Sequence, residues 1–206
     1  MSRHKLFGTG ILFAILLGFL LPSVVAAQNQ NQVLGEVDIL GTTDIDKTSG
    51  VWVDGQYVGY VKELKGDKTI LLLPGEHEIV VRQAGYTDQV QKVTVEPGKK
   101  ATVEVSMQKD PQAIFPTGAT SEVKFKVTPE RAAVFVDGVY AGTPKEFGGH
   151  WRAMVIAPGK HQVRIALAGY KDFTTDINLR PGQKITIATD LLPGSITQAP
   201  PAIKSN

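Results

Sequence analysis

Two histidines stand in near-identical surroundings. His77 lies in PGEHEIVVRQAGY, residues 74–86, and His161 lies in PGKHQVRIALAGY, residues 158–170. Imidazole is the side chain suited to proton transfer near neutral pH and to transition-metal ligation. A metal site needs further ligands close in space, and neither histidine has a second histidine at ligand spacing or a carboxylate cluster beside it. By alternation each shares a strand face with apolar residues, Ile79 and Val81 or Val163 and Ile165. We therefore read each as a neutral imidazole at the margin of a core, hydrogen-bonded to a turn carbonyl.

Other chemistry fares worse. Asp44-Ile45-Asp46-Lys47-Thr48 has the Asp-x-Asp-x-Thr order of aspartyl phosphatases. That reaction needs the first Asp as nucleophile at the end of a parallel strand in an α/β fold, and here a hairpin pattern follows at once. As a calcium loop the stretch has its glycine one place late, and Gly55 stands where the twelfth-position Glu belongs. A solvated loop is the expectation. No Gly-x-Ser-x-Gly occurs, and no glycine-rich loop opens a helix. There is no cysteine, so no thiol nucleophile, cysteine-ligated zinc or disulfide is available. The residues predict no enzyme, no cofactor and no metal.

The aromatic residues are better candidates for binding. Trp52, Tyr57, Tyr60, Tyr140 and Trp151 lie on or near two hairpin patterns. Trp52 alternates out of phase with Val51 and Val53, and Phe135 with Val134 and Val136. With the valines facing the core, Trp52 is expected to be partly exposed, where its ring could stack on a sugar or anchor a protein partner. The plainer reading has these rings covering the open end of a small sandwich.

The elements that position these residues occur twice. VWVDGQYVG, residues 51–59, returns as VFVDGVYAG, residues 134–142; VTVEPGKKATVEV, residues 93–105, returns as INLRPGQKITIAT, residues 177–189. The offset is 83 for the first block and 84 for the second and for the histidine block, which marks a tandem duplication. Asp54-Gly55 and Asp137-Gly138 suit two-residue hairpin turns, in which both central residues need positive φ. Pro-Gly pairs at Pro74-Gly75, Pro97, Pro158-Gly159 and Pro181 suit type II turns. Between turns the apolar residues alternate with period two, as in half-buried strands. The fold class is all-β: two tandem small antiparallel β-sandwiches, over residues 35–107 and 121–192. Residues 108–120, with two prolines and a glycine, read as a short stiff linker. Residues 28–34 and 193–206 lack periodicity and are expected to be disordered.

The first 27 residues have the layout of a secretory signal peptide: Arg3 and Lys5, an apolar stretch from Ile11 to Leu21, and a small-residue end. Cleavage is expected between Ala27 and Gln28; the alternative is an uncleaved anchor, the one route to membrane association. The chain carries 22 Lys plus Arg and 20 Asp plus Glu, and the leading segment holds two of the basic residues and no acidic one. The remainder is electrically balanced, which argues against nucleic acid as a partner.

The second unit contains PERAAVFVDGVYAGTP, residues 129–144, and resembles the PEGA domain family, named for Pro-Glu-Gly-Ala ahead of a Val-x-Val-Asp-Gly hairpin. Pro129, Glu130 and Ala132 match, while Arg131 replaces the glycine. Asp137, Gly138, Thr143, Pro144, Pro158, Gly159, His161, Gly169 and Tyr170 also match. The first unit diverges at its start, where residues 46–49 replace the namesake and Tyr60-Val61 replaces Thr-Pro. It keeps Asp54, Gly55, Pro74, Gly75, His77, Gly85 and Tyr86. The resemblance implies a sandwich of the transthyretin-like or carboxypeptidase-regulatory type, found in envelope and surface proteins and generally non-catalytic. It supplies no catalytic residue. The expected role is an exported, periplasmic or extracellular, protein-interaction or structural module with an envelope or surface protein as partner. The alternative is a module that binds cell-wall glycan through its hairpin aromatics.

Overall fold

The computed structural model describes residues 33–149, 152–194 and 202–203. The signal segment, its Ala27–Gln28 cleavage point, residues 28–32 and Trp151 lie outside the described residues.

The first module runs β1 (Gly35–Gly41), α1 (Asp44–Thr48), β2 (Gly50–Val53), β3 (Gln56–Tyr60), β4 (Ile70–Leu72), β5 (Gly75–Arg82), β6 (Gln89–Val95) and β7 (Lys100–Val105). The second repeats it as β8 (Ser121–Thr128), β9 (Ala133–Val136), β10 (Val139–Gly142), α2 (Pro144–Phe147), β11 (Met154–Ile156), β12 (Gly159–Ala166), β13 (Phe173–Leu179) and β14 (Lys184–Asp190). In the first module β4-β1-β7 forms one sheet and β3-β2-β5-β6 the other; in the second the sheets are β11-β8-β14 and β10-β9-β12-β13. The all-β tandem architecture is the one the period-two pattern predicts. Each module also holds one parallel pair, β1 with β7 and β8 with β14, so its smaller sheet is mixed. The parallel pair brings the first and last strands of each module side by side.

Alternation selects the core. Val37, Ile39, Ile70 and Val103 from one sheet meet Val51, Val53, Ile79 and Val81 from the other, and each is fully buried or nearly so. Val123, Phe125, Val127, Val134, Val163 and Ile165 do the same in the second module. The hairpin turns form as the Asp-Gly pairs require, with φ of 49° and 79° at Asp54 and Gly55 and of 51° and 81° at Asp137 and Gly138. Pro-Gly behaves in two ways. Gly98 and Gly182, at φ 65° and 73°, fit the tight turn. Gly75 and Gly159, at φ 147° and 129°, instead open β5 and β12. The type II expectation fails at Pro74 and Pro158 because strand pairing begins at the glycine itself, Gly75 opposite Val95 and Gly159 opposite Leu179.

Gly85-Tyr86 and Gly169-Tyr170 fasten the chain where it leaves each module. The Thr87 amide donates to the Gln108 carbonyl at 2.9 Å and the Asp110 amide to Gly85 at 3.0 Å. Lys171 to Leu192 and Gly194 to Gly169, each 2.8 Å, repeat the clasp 84 residues on. The start of the expected linker is therefore pinned to the first module. Pro193 likewise bridges to Tyr170. The disorder expected of residues 193–206 also fails at β15 (Ala202–Ile203), which pairs antiparallel with β4. Two residues carry no periodicity to read, but the free edge of β4 offers unpaired backbone groups that a passing segment can satisfy.

The Asp44–Thr48 stretch is not a solvated loop. Thr43 caps α1, and Asp46 is 3 % exposed. One Asp46 carboxylate oxygen accepts the Thr43 amide at 2.9 Å; the other accepts the Met107 amide, just past β7, at 2.9 Å. Burial pushes the Asp46 carboxyl up, but the amides of Met107 and Thr43 outweigh it and hold it below the ordinary aspartate value. In the second module the equivalent amide, Leu191, donates to the Thr128 carbonyl at 2.8 Å. One copy closes its exit with a side chain and the other with the backbone before Pro129. Asp46→Ala should therefore lower stability by about 1–3 kcal/mol in urea unfolding, the penalty for stranding buried amides.

Candidate functional site

Two structural devices gather the residues singled out in the sequence: a histidine clamp repeated in each module, and an aromatic junction between the modules.

In the clamp, the Asp54 turn lies against the start of β5. One Asp54 oxygen accepts the Glu78 amide at 3.0 Å, and the other lies 2.7 Å from His77 Nδ1. His77 Nε2 lies 2.8 Å from the Leu73 carbonyl. The second copy has the same set: Gln162 amide to Asp137 at 2.9 Å, His161 Nδ1 to Asp137 at 2.7 Å, and Nε2 to the Ala157 carbonyl at 2.9 Å. Both nitrogens of each ring thus face an oxygen acceptor. A neutral imidazole has one N–H and would turn a lone pair on the other oxygen; the imidazolium donates to both. The expectation of a neutral ring is corrected on that geometry, while its bond to a turn carbonyl is present. Burial alone would lower the His77 pKa, but the Asp54 hydrogen bond, the Leu73 carbonyl and the Asp54 charge raise it. The hydrogen bond from His161, then the Gln162 amide, hold the Asp137 carboxyl below its ordinary value. With both ring nitrogens engaged, neither histidine presents a lone pair to a metal. Among the described residues no three His, Cys, Asp or Glu converge on a common point.

The junction is built from equivalent positions of the two hairpins. Trp52 and Phe135 correspond through the 83-residue offset, as do Tyr57 and Tyr140. All four are buried, at 4, 7, 5 and 6 % exposure. Trp52 meets Tyr140 edge to face at 4.9 Å and 90°, and Tyr57 at 5.1 Å and 62°. Phe135 lies 6.0 Å from Tyr140 and 6.5 Å from Trp52. These are edge geometries that the ring quadrupole favours. Tyr57 Oη donates to the Arg131 carbonyl at 2.8 Å, so the segment that carries the family motif receives the other module's hairpin. Arg82 covers Trp52 at 4.8 Å and Arg164 covers Phe135 at 4.0 Å. Burial raises the pKa of both tyrosines well above the ordinary value, so their hydroxyls stay protonated. Gly50 makes room for the approach: a Cβ there would lie 2.8 Å from Tyr140 Oη.

The junction overturns the exposure expected of Trp52. The valines do face the core, but the opposite face of β2 is covered by the second module. Tyr57 and Tyr140 are likewise enclosed. Tyr60 is half-buried, with Lys145 Nζ donating to its hydroxyl at 3.3 Å. A signal was present in the sequence: GVWV and AVFV are continuous apolar runs rather than alternating ones, the mark of a strand covered on both faces. The structure also brings forward residues the sequence reading did not select, Ile114, Phe115 and Val139, which have no period to mark them.

Two predictions follow from this geometry. A raised folded pKa at His77 means its contribution is fully present below the unfolded histidine value near 6.5 and fades as pH rises through the folded value. A lowered folded pKa at Asp137 means its contribution is present above about 3.8 and fades as pH falls through the folded value. Thermal unfolding should accordingly show greatest stability between about pH 4 and 6.5. His77→Ala should cost about 1.5–3 kcal/mol at pH 6, the range for hydrogen bonds to a charged group, and flatten the alkaline limb. At the junction, Gly50→Ala should destabilise by about 1–3 kcal/mol through overpacking. Trp52→Ala should cost about 3–5 kcal/mol and separate one unfolding transition into two, followed by calorimetry.

The PEGA domain model matches residues 46–111 and 120–195. The first match starts after β1, a strand that nevertheless belongs to the first module's sheet. No curated protein matches. Among solved structures, the Bacillus anthracis TIE protein is similar over 78 % of this chain at 14 % identity and a TM-score of 0.28; this chain spans 34 % of its length. The shaft pilin SpaA from Lactobacillus rhamnosus GG is similar over 80 % of this chain and 100 % of its own, at 10 % identity and a TM-score of 0.21. The two family matches fall on the two modules that the clamps and the junction define, and the chain belongs to the PEGA domain family.

Proposed function

We propose that the chain is an exported, non-catalytic double module that docks on another protein of the cell envelope. The observation that carries this reading is an exposed apolar groove of about 610 Å³ between the linker and the second hairpin. Ile114, Phe115 and Val139 line it at 96, 65 and 70 % exposure. Arg82, Asp88 and Asp110 also line it. Large apolar side chains grouped at one site, with charged residues around them, have the composition of a protein contact. The groove is not duplicated: the residue equivalent to Val139 is Gln56, and no second linker exists to match Phe115. The Phe115 ring lies close over Gly85, where a Cβ would stand 2.8 Å from it, so the backbone clasp helps to present the linker. Export is supported by the basic, apolar and small-residue order of the first 27 residues. Among the described residues no helix is long and apolar enough to cross a membrane.

The glycan reading depends on exposed rings. Trp52, Tyr57 and Tyr140 are enclosed in the junction, so no observation now favours it over protein docking.

Cross-linking and pull-down from envelope extract should recover a specific protein. The Ile114→Asp/Phe115→Asp double variant should recover about tenfold less, as for loss of central contact residues. Recovery of no specific protein by the native chain, or equal recovery by the variant, would exclude the groove as the docking site.

A further inference from the structure

The duplication sets two sheet edges in register, and they are treated differently. β4 and β11 correspond through the 84-residue offset. Each is a three-residue strand with its outer residues buried and its middle residue turned outward: Ile70, Leu71 and Leu72 in one, Met154, Val155 and Ile156 in the other. Each pairs antiparallel with the first strand of its module in the same register, Leu71 opposite Glu36 and Val155 opposite Glu122. Each is followed by a carbonyl that its histidine clamp holds, Leu73 or Ala157. The edges are chemically alike.

Their outer sides differ. Ala202 and Ile203 pair with Leu71 and Ile70, so β4 gains a fourth strand in its sheet. Among the described residues β11 has β8 on one side and no strand on the other. Val155 at its centre is 56 % exposed. One chain has two acceptor edges and a single C-terminal segment. The segment is bound to the first module, where its covalent tether gives it a high effective concentration. An unpaired edge strand is a template for a further strand, held by main-chain hydrogen bonds.

We infer that the outer edge of β11 is a strand-acceptor site for an extended segment of a partner protein. The segment it takes is uncharged, with small and β-branched side chains in the manner of Ala202–Ile203, and it adds antiparallel to Met154–Ile156. This rests on the reading of the chain as a protein-docking module and gives that reading a second contact, apart from the groove. The strand already seated on β4 shows the chemistry such an edge accepts. The C-terminal segment protects the first module's edge from competing strands and leaves one edge per chain open.

The test is backbone hydrogen exchange on the full chain with a synthetic peptide of residues 197–206. In the native chain, saturating peptide should slow the amides of residues 154–156 by about tenfold or more and leave those of 70–72 unchanged. In the Ala202→Pro/Ile203→Pro variant, whose own segment cannot supply a ladder, the peptide should slow both sets. Protection of 70–72 in the variant without protection of 154–156 would overturn the assignment, and so would protection of neither set. Protection of 154–156 that grows with protein concentration in the absence of peptide would assign the edge to a second copy and overturn the partner. If an envelope protein is recovered but its complex leaves 154–156 exchanging at the free rate, the docking function stands and the β11 site falls.

Discussion

Strands β2 and β9 are apolar on both faces, and the covering of both faces is the constraint on which the rest of the molecule depends. Val51 and Val53 fill the interior of their own sandwich, while Trp52 points out of it. A single module leaves that ring in water. Two modules remove the problem by presenting equivalent hairpins to each other, so that Trp52, Tyr57, Phe135 and Tyr140 enclose one another. Full burial of an aromatic side chain contributes about 1.5–3 kcal/mol by transfer alone. A junction with four such rings holds the two modules together as one body. Gly50 and the Arg131 carbonyl complete the fit, one by yielding space and the other by accepting the Tyr57 proton.

The histidine clamp solves a different problem. The Asp-Gly turn places Asp54 at positive φ, and its carboxylate must be satisfied near the end of a small sandwich. The Glu78 amide and His77 do so, and His77 passes the tie on to the Leu73 carbonyl. One side chain thus joins the hairpin turn, the start of β5 and the end of β4. Repetition of the same distances in the second module makes this a device of the fold. The features that could recognise a partner lie elsewhere, at positions the duplication did not copy: the linker, the tip of the second hairpin, and the edge that only one module has covered.

Divergence between the copies has a physical form. The first module replaces the namesake motif with a capped turn of helix whose buried Asp46 carboxylate receives the Met107 amide. The second reaches the equivalent Leu191 amide with the Thr128 carbonyl ahead of Pro129. Both solutions satisfy one donor at the module's exit. A motif can vary when the requirement it meets is a single hydrogen bond that several groups can supply.

The sequence by itself determined what local rules govern. Strands, hairpin turns, the tandem repeat and the family follow from period two, from Asp-Gly and from a constant offset, because side-chain alternation and positive φ act within a few residues. His77 and His161 were legible as parts of a frame for the same reason. Their protonation state was not, since Asp54 and Asp137 approach from 23 and 24 residues away. Only the tertiary structure decided that Trp52 is buried, that Asp46 is enclosed and that Ala202–Ile203 covers β4. Each of these depends on a surface brought from a distant part of the chain. A residue's type states how much it gains from burial, but what covers it is fixed by packing.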